Sequence, residues 1–197
     1  ATGVALKIRM MKEDGVVLCF FGDGAIHQGA FHESLNLAKI WNLPIIYICE
    51  NNQYGMGTDF RRVSSVHDFT VMGASYGIPG AQVDGMNALA VYDAVGAAAA
   101  RARGEGLPAF LEIKTYRYKG HSMSDPAKYR TKEEVEEYRR QDPILVLQDY
   151  MSNAGMGNDE LFATIDSEAK EMTKEALEYA EQAPPPALET MYEDIYA

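Results

Sequence analysis

The residues with the most chemical content are Gly22-Asp23-Gly24 and Asn51-Asn52. Each group follows a short apolar, β-branched run, Val16 to Phe21 in the first case and Ile45 to Cys49 in the second, the pattern of a strand closing on a turn. Glycines at such a turn let the main chain approach a phosphate, and the N–H groups opening the next helix would meet its charge. Asp23 complicates a bare phosphate site, because a carboxylate beside a diphosphate is repulsive unless a cation lies between them. The donors on offer are the Asp23 carboxylate, the Asn52 side-chain carbonyl and a nearby main-chain carbonyl. An all-oxygen set of this kind favours Mg²⁺ over zinc. Gly-Asp-Gly alone is as readily a plain turn, and Asn-Asn a strand-end cap. Their occurrence at matching strand ends raises them above that.

The intervening segment supplies the geometry. Phe31, Leu35, Ala38 and Trp41 recur at helical spacing between Ala30 and Trp41, and Leu43-Pro44 ends that helix. Strand, helix and strand in this order predict a β-α-β unit of a parallel sheet, with both strands fully buried. Ligands of open parallel sheets bind beyond the carboxyl ends of the strands, so Asp23 and Asn52 are expected at one edge.

The stretch from Tyr54 to Gly85 is Gly-rich with weak periodicity, allowing a short helix over Asp68 to Tyr76 and a turn at Ile78-Pro79-Gly80. Asn87 to Arg103 predicts an Ala-rich helix broken by Gly104-Glu105-Gly106, and Ala109 to Thr115 a third strand. Tyr116 to Pro126 predicts a loop. Thr131-Lys132-Glu133-Glu134 fits a capping box, and Asp142-Pro143 another helix start. Leu161, Phe162, Ile165, Ala169, Met172, Ala176 and Tyr179 make a long amphipathic helix that Pro184-Pro185-Pro186 ends. The opening residues read as mid-helix, with Val4, Ile8 and Met11 on one face and no initiator Met, so a longer parent chain is expected. The expectation is an α/β domain over residues 1–130 followed by a helical extension over 131–197.

Bulk properties remove several function classes. Of 197 residues, 29 are acidic and 18 basic, so the net charge of −11 disfavours a general electrostatic grip on nucleic acid or anionic lipid. No apolar run approaches the roughly 20 residues of a membrane span. Cys19 and Cys49 lie inside apolar runs, as buried thiols do, and a reducing compartment is expected. The partners should be small molecules or proteins.

The motif pair resembles the thiamine-diphosphate signature. Phe20-Phe21-Gly22-Asp23-Gly24-Ala25, Glu50-Asn51-Asn52-Gln53-Tyr54-Gly55-Met56-Gly57-Thr58 and Tyr116-Arg117-Tyr118-Lys119-Gly120-His121-Ser122-Met123-Ser124-Asp125-Pro126 are similar to the α subunits of 2-oxoacid dehydrogenases, the pyruvate branch above all. The resemblance covers essentially the whole chain. It implies the diphosphate-binding half of the parallel-sheet thiamine-diphosphate fold, with Mg²⁺ held by Asp23, Asn52 and the main-chain carbonyl of Tyr54. Gly24 and Ala25 would contact the diphosphate, and His121 would donate to it from the loop as the catalytic histidine. Ser122 matches a serine whose phosphorylation silences mitochondrial relatives. The resemblance further implies oxidative decarboxylation of pyruvate and acyl transfer to a lipoyl-bearing acyltransferase. A β subunit would complete the site in an α2β2 heterotetramer, in the bacterial cytoplasm or the mitochondrial matrix.

Some residues depart from the pattern. His27 stands where the family usually has Asn, and Asp59 and Lys128 stand near further serines of mitochondrial members. Ala30-Phe31-His32-Glu33-Ser34-Leu35-Asn36-Leu37 also resembles acetoin dehydrogenases, and branched-chain 2-oxoacids are a further alternative. A nicotinamide enzyme would want a glycine where His27 stands, and a non-catalytic binding fragment is the reading from another class. His32, Glu33 and His67 are left out of the site, two of them lying within or beside a helix whose polar face needs only such residues, and Ser124-Asp125 is expected to be turn and loop chemistry.

Overall fold

Four parallel strands order the chain in a computed structural model that describes residues 1–195. The elements begin with α1 (Thr2–Met11), β1 (Val17–Gly22), α2 (Gly29–Ile40) and β2 (Ile45–Asn51), the predicted β-α-β unit. A two-residue hairpin follows, β3 (Tyr54–Gly55) with β4 (Thr58–Asp59), then α3 (Thr70–Ala74), β5 (Gly80–Asp84), α4 (Ala88–Glu105) and β6 (Ala109–Lys114). Helices α5 (Lys132–Arg139), α6 (Pro143–Asn153) and α7 (Asp159–Gln182) complete it. The sheet runs β1-β2-β6-β5, every pair parallel, as the α/β reading predicts. The chain divides into two compact units, Ala1–Leu147 and Gln148–Ala197.

Side-chain alternation along the central strands builds a core on each face. Ile45, Tyr47 and Cys49 of β2 join Phe31, Leu35 and Ala38 of α2, with Phe69, Ile78 and Phe110. Ile46 and Ile48 point the other way, onto Leu111, Ile113 and the Ala-rich face of α4. A third cluster packs Tyr54, Met86 and Tyr116 against Tyr118, Tyr129, Val135 and Tyr138, with Tyr116 stacked on Tyr138 at 3.9 Å between ring centroids.

Local signals set most boundaries. The Asn87 side chain accepts from the N–H groups of Leu89 and Ala90 at 3.1 and 3.2 Å, opening α4, and Gly106 closes it at φ 63. Asp142 caps the start of α6 through the Ile144 N–H at 2.9 Å, and Asn158 caps α7 through Leu161 at the same distance.

Three expectations need correction. Strand β1 is not buried on both sides: Leu18 and Phe20 are 43 and 58% exposed, because α4 lies over β5, β6 and β2 and stops short of this edge. In α1 the buried residue is Ala5, while Val4 and Met11 face solvent, since a small side chain fits the approach to α2. The stretch before Asn87 hides β5, whose Gly80-Ala81-Gln82 start has no apolar signature and whose one buried residue is Val83. Among the described residues, no helix is long and apolar enough to cross a membrane.

Candidate functional site

The register of β1 on β2 pairs Gly22 with Glu50, so both chains leave the sheet at one level and Asp23 emerges beside the Asn51-Asn52 turn. Asp23 opens a short 3-10 turn, Asp23–Ala25, and is only 4% exposed. Burial pushes its carboxyl above the ordinary carboxylate range. The main-chain N–H groups of Asp23 and Asn52 and the Arg117 guanidinium oppose that rise, while Asp59 adds to it. The chain returns over this carboxylate in the hairpin: a Cβ added to Gly55 would stand 3.5 Å from the Gly24 Cα and 3.9 Å from Asp23 Oδ2. Asp23 and Gly24 thus lie against the hairpin that follows Asn52, at the edge where the two strands end, and Ala25 follows in the same turn.

The turn carrying Asn52 and Tyr54 is held from several sides. Asn52 Oδ1 accepts from the Tyr54 N–H at 3.3 Å, which leaves this carbonyl a second lone pair. Gln53 and Met56 both lie in the left-handed region, at φ 77 and φ 56, a conformation that costs non-glycine residues about 1–3 kcal/mol unless the surroundings enforce it. Here they do. Asn51 Oδ1 accepts from the Gln53 N–H at 3.1 Å, and Arg117 Nη2 donates to the Met56 carbonyl at 2.6 Å.

The loop after β6 leans on the same hairpin. Tyr129 packs on Gly57, where a Cβ would meet the ring at 3.0 Å, and its hydroxyl donates to Asp125 Oδ2 at 2.9 Å. Asp125 also accepts from the N–H groups of His121 at 2.7 Å and Ala127 at 2.8 Å, and these bonds hold its carboxyl below the ordinary range. The turn reading of Ser124-Asp125 is borne out. His121 and Ser122 are exposed, and His121 is tied through its main chain. The structure thus places His121 on a loop anchored to the hairpin, and does not draw its ring into the group around Asp23. His27 and Glu33 are exposed, His32 bonds Tyr76 at 3.1 Å, and His67 lies edge-on to Phe60. None of these joins the site.

Two acidic residues were not legible as site-builders. Glu134 was expected to complete a capping box. Its N–H does bond Thr131 Oγ1 at 3.1 Å, but its carboxylate accepts instead from Tyr54 and Tyr116 hydroxyls at 2.8 and 2.7 Å. Burial and this carboxylate push the Tyr116 phenol up to about 12. Glu134→Ala leaves two phenols in a mostly apolar cluster without their acceptor, and we expect a loss of about 1–3 kcal/mol in chemical denaturation. Glu112, fully buried in the middle of β6, accepts from the Asn51 amide at 2.8 Å. A lone carboxylate inside an otherwise apolar strand was the signal that could have found it.

Among the described residues, no cluster of three or more His, Cys, Asp or Glu side chains could hold a metal. An Asp, an amide and a main-chain carbonyl lie outside that pattern, and the buried Asp23 carboxylate, still raised despite the Arg117 guanidinium, is the kind of oxygen donor a hard cation takes.

The family described as "Dehydrogenase E1 component" matches residues 1–189. The pyruvate dehydrogenase E1 component subunit alpha of Rhizobium meliloti is 45% identical over 195 residues, 98% of this chain and 56% of that protein. Its namesake in Rickettsia bellii is 43% identical over 99% of this chain and 60% of that protein. The human somatic mitochondrial form is 43% identical over 99% of this chain and 50% of its own length. The chain thus spans from half to three-fifths of the length of these relatives. With the motif turns, the parallel sheet and the matched span in agreement, the chain belongs to the dehydrogenase E1 component family.

Proposed function

We propose that this chain supplies the Mg²⁺ and diphosphate half of a thiamine-diphosphate site in an enzyme that oxidatively decarboxylates a 2-oxoacid, pyruvate in particular. The observation that carries the reading is the buried Asp23 carboxylate, raised by desolvation and set against a glycine-lined hairpin at the carboxyl edge of a parallel sheet. Asp23, the Asn52 amide oxygen and the Tyr54 carbonyl would ligate Mg²⁺, Gly24 and Ala25 would offer N–H groups to the diphosphate, and His121 would donate to it from its loop. When bound, thiamine diphosphate would supply a nucleophilic carbon for the ketone and a cationic ring to take up the electron pair released with CO₂. This chain's residues bind and orient the diphosphate end and hold the hairpin over it.

A β subunit would provide the remaining contacts in an α2β2 assembly, and the acyl product would pass to a lipoyl group of an acyltransferase. Relatives named as pyruvate dehydrogenase subunits support pyruvate. Turnover of the chain reconstituted with a β subunit tests the reading: we expect pyruvate to outcompete acetoin and branched-chain 2-oxoacids. Robust decarboxylation without any β subunit contradicts the division of the site.

Gly24 offers a separate check. A Cβ there would stand 3.7 Å from the Gly55 Cα, an ordinary contact, so the protein's own packing does not demand glycine. We expect Gly24→Ala to preserve the thermal midpoint and to weaken thiamine-diphosphate binding in calorimetry. An unchanged affinity removes Gly24 from the diphosphate cradle.

A further inference from the structure

Glu112 stands on β6 facing the core shared with α2, at the level of Cys49 on β2. Both carboxylate oxygens are engaged: Oε1 accepts from Asn51 Nδ2 at 2.8 Å, and Oε2 from the Phe69 N–H at 3.0 Å and Gln82 Nε2 at 2.8 Å. Asn51 is fully buried too, and its other end, Oδ1, accepts from the Gln53 N–H at 3.1 Å. An ionised carboxylate only accepts and an N–H only donates, so this pair of neighbours fixes the orientation of the Asn51 amide. Turned over, the amide would set its carbonyl against Glu112 and its NH₂ against an N–H.

The far end of the relay is the left-handed Gln53, the residue between Asn52 and Tyr54. Its conformation decides where the Asn52 side chain and the Tyr54 carbonyl stand relative to Asp23. We propose that Glu112 is a positioning residue for the cofactor turn, acting through the oriented Asn51 amide to hold the Gln53 kink. The inference rests on the Mg²⁺ and diphosphate reading for its effect on binding, while its effect on the turn is independent of that reading.

Glu112→Gln presents an NH₂ either to the Asn51 amide or to the Phe69 and Gln82 donors. The double variant Asn51→Asp/Glu112→Gln restores every pairing. The new amide at position 112 donates its NH₂ to one oxygen of the new carboxylate at position 51, while its carbonyl accepts from Phe69 and Gln82. The second oxygen of that carboxylate accepts from the Gln53 N–H. Gln82→Leu is the control, removing one donor from Glu112 without touching Asn51.

Two measurements on the assembled α/β enzyme decide the matter, hydrogen exchange over residues 50–57 and calorimetric titration with Mg²⁺ and thiamine diphosphate. In Glu112→Gln we expect faster exchange of the Gln53 and Tyr54 amides and affinity weakened about 10- to 100-fold, the range typical of residues behind metal ligands. The double variant should recover both, and Gln82→Leu should lower stability with affinity retained. If Glu112→Gln does not fold, Asn51→Ser cuts the relay with Glu112 still on Phe69 and Gln82, and carries the same expectation. Unchanged exchange over 50–57, or a double variant no better than Glu112→Gln, overturns the proposal. Wild-type enzyme that fails to bind the cofactor, while exchange follows the expected pattern, refutes the site reading and leaves the relay standing.

Discussion

Asp23→Asn is expected to abolish Mg²⁺-dependent thiamine-diphosphate binding while leaving the metal-free fold at least as stable as wild type. Loss of a residue that merely supports a ligand weakens metal sites about 10- to 100-fold, so loss of the one carboxylate in the proposed set should reach the top of that range or exceed it. The stability half of the expectation follows from the sign of the titration. Burial raises the Asp23 carboxyl in the folded chain, so the folded state binds this proton more tightly than the unfolded state. Its contribution to stability is full below the unfolded value and is lost as pH rises through the raised folded value. Above that raised value the metal-free chain carries a buried anion whose surroundings compensate it incompletely. The change to an amide removes that anion at nearly constant volume. Calorimetric melting without metal should therefore place the variant level with or above wild type at pH 7, with the difference fading on acidification. Saturating Mg²⁺ and cofactor should reverse the order, because wild type alone gains from the ligand. Equal cofactor affinity in the two proteins would sink the assignment of Asp23 as a ligand.

Asp23 and Asn52 were legible because their surroundings obey strong local rules. An apolar β-branched run ending in Gly-Asp-Gly and another ending in Asn-Asn leave little choice but parallel strands with their turns at one edge. What escaped were features set by distant neighbours. Phe20 has the composition of a buried strand residue, and only the reach of α4 leaves it exposed. Gly80-Ala81-Gln82 pairs with β6 through its main chain and so carries no side-chain signature. Glu134 satisfies half of the capping pattern, yet its carboxylate goes to phenols 80 and 18 positions upstream. Glu112 stands out as a lone carboxylate in an apolar strand, but its role depends on the donors that Asn51, Phe69 and Gln82 bring to it. In each case local pattern gives the element, while the partner of a polar side chain depends on contacts distant in sequence.

Ser122→Glu is expected to unfasten the loop from Tyr116 to Arg130 and to weaken cofactor binding, and phosphorylation of Ser122 to do so more strongly. The loop is organised around one carboxylate: Asp125 gathers the N–H groups of His121 and Ala127 and the Tyr129 hydroxyl. Its own N–H bonds the Ser122 carbonyl at 3.1 Å, so a new anion at position 122 arrives close to it. A phosphoserine brings about −1.5 to −2 charges at neutral pH, and a glutamate a single one at a similar reach. Two guanidinium groups of the loop are already committed, Arg117 to the Met56 carbonyl and Arg130 to the carbonyls of Arg117 and Tyr118. Like-charge repulsion should displace Asp125, and with it the three accepted bonds that close the loop. A diphosphate beneath His121 would add to the repulsion. Ser122→Ala loses only the hydroxyl contact to Ser124 at 3.1 Å and should keep most binding. Limited proteolysis between Tyr116 and Arg130, cofactor affinity, and turnover with the β subunit give three independent readings. A Ser122→Glu enzyme that matches wild type in all three would show that the loop does not act over the diphosphate, and His121 would lose its proposed role with it.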